Sequence, residues 1–310
     1  MSSSTTHDDL AEANASASGP ELRAQLDRDG YLFFRGLIEP AAVLATRAAV
    51  LGALHERGWL AEGAAVDDAV PSDLVRREEA NTDPGFFEAY RAIQHLQQFH
   101  ELAHDKAIVD VMRTILGEPL LVHPRKIARV GLPKDPFVVD AHQDFPFNHG
   151  TADVLTAWIA LGDCDDDLGG LKVLAGSHTA GLRSVAAVPN VGGLKVAEPL
   201  ADAPGWSTAD FRAGDVLVFH SLTVHAAKPN RTDRLRLSCD YRYQNAGDPV
   251  AEGSLVPHYF PVVPGHDELT AAWTSADAVS TPPGLNVVGG FDPFVGPPEP
   301  VTSRLVTLGP

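Results

Sequence analysis

Cysteine is scarce in this chain: Cys164 and Cys239 are the only two among 310 residues. Two thiols give no disulfide framework, which excludes the small stapled secreted scaffolds and fits a reducing cytosol. Long apolar runs are missing as well. No stretch reaches 18 apolar residues, and the opening "MSSSTTHDDLAEANASASGP" lacks the apolar segment of a secretory signal. Residues 1–19 are therefore expected to form a floppy tail on a cytoplasmic protein. Positive charge is also short. Lys and Arg total 24 against 41 Asp and Glu, a net charge of −17, and no basic stripe makes a local exception. Nucleic acid and anionic membranes are poor partners for such a surface. There is no internal repeat. What is present, 44 % hydrophobic and 21 % charged residues, suits one domain with a full core over residues 20–310.

The texture of the chain changes once. From about 20 to 118 the apolar spacing is mostly helical, broken by a short strand at "DGYLFFRGLI". An amphipathic helix is expected over 39–60, with Pro40 near its start, and at least two more between 83 and 118. From 119 to about 245 short β-rich runs alternate with Gly, Pro and Asp turns, the spacing of a β-sandwich or barrel rather than parallel βαβ units. Helices first and strands afterwards predict an α+β domain with helices packed on one face of a barrel. The remainder, 246–310, is a Pro- and Gly-rich extension with one helix expected near "HDELTAAWTSA".

Two stretches carry candidate chemistry. In "DAHQDFP", read as a strand and its exit, the two-residue period puts His142 and Asp144 on one face, where both can grip a single ion. In "GDVLVFHSLTVHAAKPNRTDRLRLS" a third ligand is offered by His225, with His220 as competitor. Two imidazoles and one carboxylate cap one face of an octahedral metal and leave three adjacent positions open, the arrangement of non-haem Fe(II) oxygenases. Those positions suit a bidentate 2-oxoacid and dioxygen. Arg236, eleven residues after His225, can fork onto the distal carboxylate of that acid. The strand that carries it alternates openly. Leu235, Leu237, Cys239, Tyr241 and Tyr243 fall on one side, and Arg234, Arg236, Ser238, Asp240 and Arg242 on the other. The polar side is either a solvated face or the wall of a wet cavity.

Four stretches, "LDRDGYLFFRGLIEP", "HQDF", "TAWIALGDCDDDLGGLKVLAGSH" and "GDVLVFHSLTVHAAKPNRTDRLRLS", occur in an order and spacing that resembles the phytanoyl-CoA dioxygenase family of Fe(II)/2-oxoglutarate oxygenases. The resemblance implies a double-stranded β-helix, a cupin-like jelly-roll barrel, with the N-terminal helices on its major sheet. It implies His142, Asp144 and His225 as iron ligands and Arg236 as the partner of the distal carboxylate of 2-oxoglutarate. Trp158 matches a position lining the cosubstrate pocket, and on "PRKIARVGLP" Lys126, with Arg129 close behind, is the second candidate contact. Phe145, Phe147, Asn148 and the helical segment 83–100 are expected as substrate-pocket walls. Two positions depart from the family pattern: Leu132-Pro133 stands where Lys-Pro is frequent, and Leu168-Gly169 where Asn-Gly is usual. Related halogenases replace the carboxylate ligand by a small residue; with Asp144 present, oxygen insertion into a small-molecule substrate is the implied outcome, with desaturation or ring chemistry as variants.

One rival motif competes. "HELAH" matches H-E-x-x-H with His100 and His104 as zinc ligands and Glu101 as general base of a peptidase. The extended pattern then needs Gly and His, where this chain has Ala107 and Asp110. The surrounding run has the apolar spacing of a helix covering the barrel, which is the preferred reading. His149 is expected at a loop or pocket rim and His178 in a turn. A third possibility is a barrel of the same fold kept only for binding a small molecule.

Overall fold

The computed structural model describes residues 8–73, 84–135, 138–188, 193–200, 203–258 and 263–309. Chain order begins with strand β1 (Asp8–Asp9), helix α1 (Gly19–Asp29), strand β2 (Tyr31–Phe34) and helix α2 (Pro40–His55). Pro40 starts α2 where its missing N–H is not needed. Gly30 ends α1 in the left-handed region, φ +78°. Three helices follow, α3 (Pro84–Gln94), α4 (Gln97–Glu101) and α5 (Lys106–Leu116), and then strands β3 (Leu120–Val122) and β4 (Ile127–Gly131). The one-turn helix α6 (Phe145–Asn148) precedes β5 (Leu155–Ala160), β6 (Leu171–Leu174), β7 (Val185–Ala187) and β8 (Leu194–Val196). The last strands of the double layer are β9 (Trp206–Thr208), β10 (Val216–His220), β11 (His225–Ala227) and β12 (Arg236–Asn245).

The strands make two facing sheets. The larger runs β2-β10-β5-β12-β3, with β4 also paired to β12, and all its pairings are antiparallel. The smaller runs β1-β9-β6-β11, and β7 and β8 form a separate hairpin. This is the jelly-roll layering the sequence suggests, but as two sheets rather than a closed barrel.

Side-chain parity decides where each core sits. On the larger sheet Leu32, Phe34, Ala157, Ile159, Val218, Leu237, Cys239 and Tyr241 face outward and pack with Leu26 of α1, Leu51 of α2, Ile93 of α3 and Met112 of α5. The opposite face points between the sheets. There Phe33, Trp158, Leu217 and Phe219 join Val173 of β6 and Phe211 in a second, apolar cluster. Burying each such aliphatic or aromatic side chain is worth about 1.5–3 kcal/mol, so the helix layer and the inter-sheet plug hold the larger sheet from both sides. The polar inner face of β12 is left to line what the plug does not fill.

Three expectations are corrected here. Residues 8–18 are not part of a floppy tail: β1 pairs in parallel with β9, Leu10 is buried in the inter-sheet cluster, and the Ala13 N–H donates to Phe33 O at 2.7 Å; residues 1–7 lie outside the described residues. The stretch around His142 is not a strand but an extended loop touching its neighbour by a single antiparallel bridge, His142 to His225. The helix expected near residue 270 shrinks to one turn, α7 (His266–Leu269). Beyond it the extension returns to the core, where Val306 is buried on the helix side of the sheet.

Candidate active site

The bridge between His142 and His225 sets two of the three polar ends. Each backbone N–H donates to the other's carbonyl at 3.0 Å, which fixes the two Cα positions face to face. The rings follow, with centroids 4.1 Å apart. His142 Nδ1 lies 2.8 Å from Asp140 O and His225 Nδ1 lies 3.0 Å from Thr223 O. Those carbonyls fix each Nδ1 as the protonated nitrogen, so Nε2 carries the lone pair. Both Nε2 atoms face Asp144 Oδ1, at 3.9 and 3.8 Å. Asp144 is held at the start of α6, its N–H donating to Ser221 O at 2.9 Å.

Electrostatics keep this trio in its ligating state. Burial, with the neighbouring His225, pushes His142 down to about 3, and burial lowers His225 as well, so both rings are neutral. Burial alone would raise the Asp144 carboxyl. The Arg242 guanidinium and the two imidazoles, with the Thr156 hydroxyl, more than offset it and hold the group well below the usual carboxylate range. Thr156 donates to Asp144 Oδ2 at 2.6 Å, and Arg242 reaches both oxygens at 3.2–3.3 Å.

These three residues are the metal-capable group among the described residues, with their ligand atoms all within 4.8 Å of one another. The Nε2-to-Oδ1 spans of 3.8 and 3.9 Å fall within what two bonds of about 2.1 Å bridge. The donor set is two neutral imidazoles and one carboxylate, which fits Fe(II) with an open face. The cavity of about 430 Å³ lies on that open face, bordered by His142, Asp144, Arg129, Arg236 and Arg242.

Arg236 borders the same cavity. It is 8 % exposed, its Nη1 donates to Ser238 Oγ at 2.6 Å, and its buried Nε has no partner. An unpartnered buried guanidinium nitrogen costs free energy until an anion occupies it, so the residue fits a 2-oxoglutarate carboxylate. Gly131, paired with Arg236 across the β4–β12 ladder, makes the room: a Cβ there would lie 3.1 Å from Arg236 Nε.

The other two cosubstrate candidates are placed elsewhere. Lys126 has the wrong parity: Ile127, Arg129 and Gly131 line the cavity, whereas the Lys126 ammonium turns away to His123 O (3.1 Å) and Ala278 O (2.7 Å). Burial lowers it to about 7. Arg129, the second choice on that strand, does face the cavity, with Nε 2.8 Å from Asp240 Oδ2. Trp158 packs edge-on against Phe211 at 4.7 Å in the inter-sheet plug instead of lining the cavity, because Phe211 covers it.

The substrate-side candidates divide. Phe147, 43 % exposed, stands edge-on to His142 at 6.0 Å on the cavity wall, and Asn148 lines the same wall. Phe145 is turned into a small cluster with Ala152 and Leu222, against Phe291 at 5.7 Å. From α3, Phe86, Phe87 and Tyr90 border the cavity.

"HELAH" does not form a metal site. The α-helix stops at Glu101 and a 3₁₀ turn (Leu102–His104) carries His104, so the two rings leave the turn toward different carbonyls. His100 Nε2 lies 2.8 Å from Gln94 O and His104 Nε2 lies 3.1 Å from Ala278 O, while Glu101 accepts from Gln97. His220 is fully buried beside Asp153, away from the trio, and His178 meets Asp27 O at 2.9 Å.

Sequence reasoning missed Thr156 and Arg242 as partners of Asp144. The signal for Arg242 was on the page, since it lies on the polar side of β12 with Arg236. Thr156 carried no signal beyond parity with Trp158.

Comparison with known proteins agrees with this geometry. The family model of phytanoyl-CoA dioxygenase (PhyH) matches residues 26–238. Over 252 residues the chain is 26 % identical to 1-deoxypentalenic acid 11-beta-hydroxylase of Streptomyces arenae, covering 74 % of this chain and 83 % of that protein. Among solved structures it is similar to the epimerase SnoN in complex with Fe3+, alpha ketoglutarate and nogalamycin RO, at 22 % identity and TM-score 0.54, covering 92 % of this chain and 96 % of that one. It is also similar to the alpha ketoglutarate dependent carbocyclase SnoK from nogalamycin biosynthesis, at 23 % identity and TM-score 0.53, covering 77 % and 88 %. Both solved structures share the fold. Residues 26–238 are more than half of the chain and contain the whole His142, Asp144, His225 and Arg236 set, so the chain belongs to the phytanoyl-CoA dioxygenase (PhyH) family.

Proposed function

We propose that the protein hydroxylates an aliphatic carbon of a small-molecule metabolite, as a 2-oxoglutarate-dependent non-haem iron dioxygenase. The observation that carries this reading is the convergence of two neutral imidazoles and one ionised carboxylate on one face of a closed-in cavity, with a buried unpartnered guanidinium nitrogen beyond them. Bound iron and 2-oxoglutarate supply the oxidation of a C–H bond by dioxygen, with release of succinate and carbon dioxide. The chain's own residues do the rest. His142, Asp144 and His225 would hold the metal, and Asp140 O and Thr223 O orient the two rings. Thr156 and Arg242 keep Asp144 ionised and fix its rotamer. Arg236 and Ser238 receive the far end of the cosubstrate, and the inter-sheet plug excludes water from behind it.

Hydroxylation is favoured over epimerisation or ring closure by the 26 % identical relative named as a hydroxylase. The substrate being a small molecule fits the cavity of about 430 Å³. Two buried free thiols, and no helix among the described residues long and apolar enough to cross a membrane, accord with action in the cytoplasm.

Anaerobic addition of Fe(II) and then 2-oxoglutarate should give the weak visible charge-transfer band of the chelate, and His142→Ala or His225→Ala should abolish it. In air the intact protein should convert 2-oxoglutarate to succinate. A protein that folds but shows neither band nor succinate would overturn the reading.

A further inference from the structure

The guanidinium groups around the cavity are not equivalent. Arg129 has Asp240 at 2.8 Å and Arg242 has Asp144 at 3.2 Å, so each of these two is neutralised by a carboxylate of the protein. Arg236 is taken by the cosubstrate in the reading above. Arg125 also borders the cavity, and among the described residues its guanidinium has no carboxylate partner: it makes a 3.5 Å hydrogen bond from Nη1 to Gly253 O. A partly buried guanidinium left with one weak carbonyl is an anion site in waiting.

Its position along the sheet sets it apart from Arg236. On the β4–β12 ladder Arg236 pairs with Gly131, Ser238 with Arg129 and Asp240 with Ile127. Arg125 lies two residues before Ile127, outside that ladder, in the stretch between Ile127, which pairs with Asp240, and Val122, which pairs with Tyr243, and so away from the Gly131 level of Arg236. At about 3.3 Å per residue, the four residues from Arg236 to Asp240, the partner of Ile127, already span about 13 Å of strand, so Arg125 and Arg236 belong to different parts of the cavity wall.

A second donor stands beside it. Asn148 is 3 % exposed, lines the cavity, and its Nδ2 has no hydrogen-bond partner. Ser254 ties the two backbones together: its carbonyl accepts from the Arg125 backbone N–H at 3.3 Å and its hydroxyl donates to the Asn148 backbone carbonyl at 3.4 Å. Around this polar corner the wall is apolar, made by Phe86, Phe87, Tyr90, Ile127 and Phe147. An amphipathic ligand with one anionic end and a hydrocarbon body matches that division.

We propose that the substrate is an apolar carboxylic acid whose carboxylate is received by Arg125, with the Asn148 amide as second donor, so that the hydrocarbon body lies over the open face of the metal centre. This rests on the oxygenase reading and adds the chemical class of substrate to it. Arg125 is thereby a specificity-determining residue. A neutral analogue loses its charged partner and leaves the guanidinium desolvated and empty, a penalty that makes such a site discriminating.

The test uses the full chain loaded with Fe(II) and 2-oxoglutarate without oxygen. The probes are a panel of rigid and branched apolar monocarboxylates, adamantane-1-carboxylate among them, each paired with its carboxamide. Binding is followed by calorimetry and by the shift of the charge-transfer band. Acids of the panel should bind with Kd values about 10- to 100-fold below their amides. Arg125→Gln should remove that preference while leaving the Fe(II)/2-oxoglutarate band and the KM for 2-oxoglutarate unchanged; Arg125→Lys should restore part of it. Equal binding of acids and amides, no binding by any acid, or an acid preference that survives Arg125→Gln would overturn the proposal. So would a rise in the KM for 2-oxoglutarate in Arg125→Gln, since it would give Arg125 to the cosubstrate. Absence of the band in the unsubstituted protein would instead be failure of the oxygenase reading itself.

Discussion

Asp144 answers to four neighbours at once: two imidazoles whose Nε2 atoms face its Oδ1, and a hydroxyl and a guanidinium that keep it charged. Arg236 can be separated by experiment from Lys126, the residue expected as a second cosubstrate contact. Charge-assisted hydrogen bonds of this kind contribute about 1.5–3 kcal/mol, so Arg236→Gln should raise the KM for 2-oxoglutarate roughly 10- to 100-fold. Lys126→Met should leave that KM within about twofold, because the ammonium faces Ala278 O and not the cavity. Steady-state succinate assays on the two variants decide it; equal rises in both would show that Lys126 also serves the cosubstrate, and no rise in Arg236→Gln would remove Arg236 from it. The place of Arg236 on the cavity side of its strand was legible because the alternation there is unbroken. Lys126 and Arg129 were not separable, because a one-residue choice of register flips every side chain to the other face and the sequence does not mark where β4 begins. Trp158 and Phe145 failed for a different reason. Their partners, Phe211 and Phe291, lie tens of residues away or more, and only tertiary packing says which aromatic is covered.

At the scale of elements, β12 does two jobs with its two faces. Its outward side chains bind the helix layer, and of its inward ones Arg236 and Arg242 line the cavity. The strand was readable because its period-two pattern is unbroken over ten residues. The loop carrying His142 was not, because a ligand stretch pinned by one bridge and one short helix has the composition of a strand without its ladder. β4 supplies the counterpart to β12 at Gly131. Valine there would place its Cβ 3.1 Å from Arg236 Nε and its methyls closer, displacing the guanidinium. Gly131→Val should therefore raise the KM for 2-oxoglutarate about tenfold while Fe(II) affinity, set by His142, Asp144 and His225, stays unchanged. Parallel loss of iron binding would show that the whole ladder had shifted instead. Gly169 is demanding in another way, with φ +82° and a Cβ position 2.5 Å from Pro229 O, which accounts for a glycine after Leu168 where the family pattern is otherwise altered.

The whole molecule carries −17 at neutral pH, and that charge alone predicts a rise in stability as acid relieves self-repulsion. Buried histidines predict the reverse. His123 is 1 % exposed between Arg242 O, which accepts from its N–H, and the Gln244 side chain, and burial with the nearby Arg242 charge lowers it to about 3. His104 is lowered to about 4, again chiefly by burial. In the unfolded chain both take up a proton as the pH falls through about 6.5. In the folded chain they resist until about 3 and 4, so between those limits the unfolded state binds more protons and stability falls with pH. From pH 7.5 to 5.5 His123 alone should cost about 1.4 kcal/mol. Urea unfolding of the chelated protein at the two pH values measures it, with chelation removing any contribution from metal release. His123→Gln, which keeps a polar side chain of similar reach, should flatten the slope by about that amount. A stability that climbs toward pH 5.5, or a slope His123→Gln does not change, would show that surface charge and not the buried ring governs the acid limb.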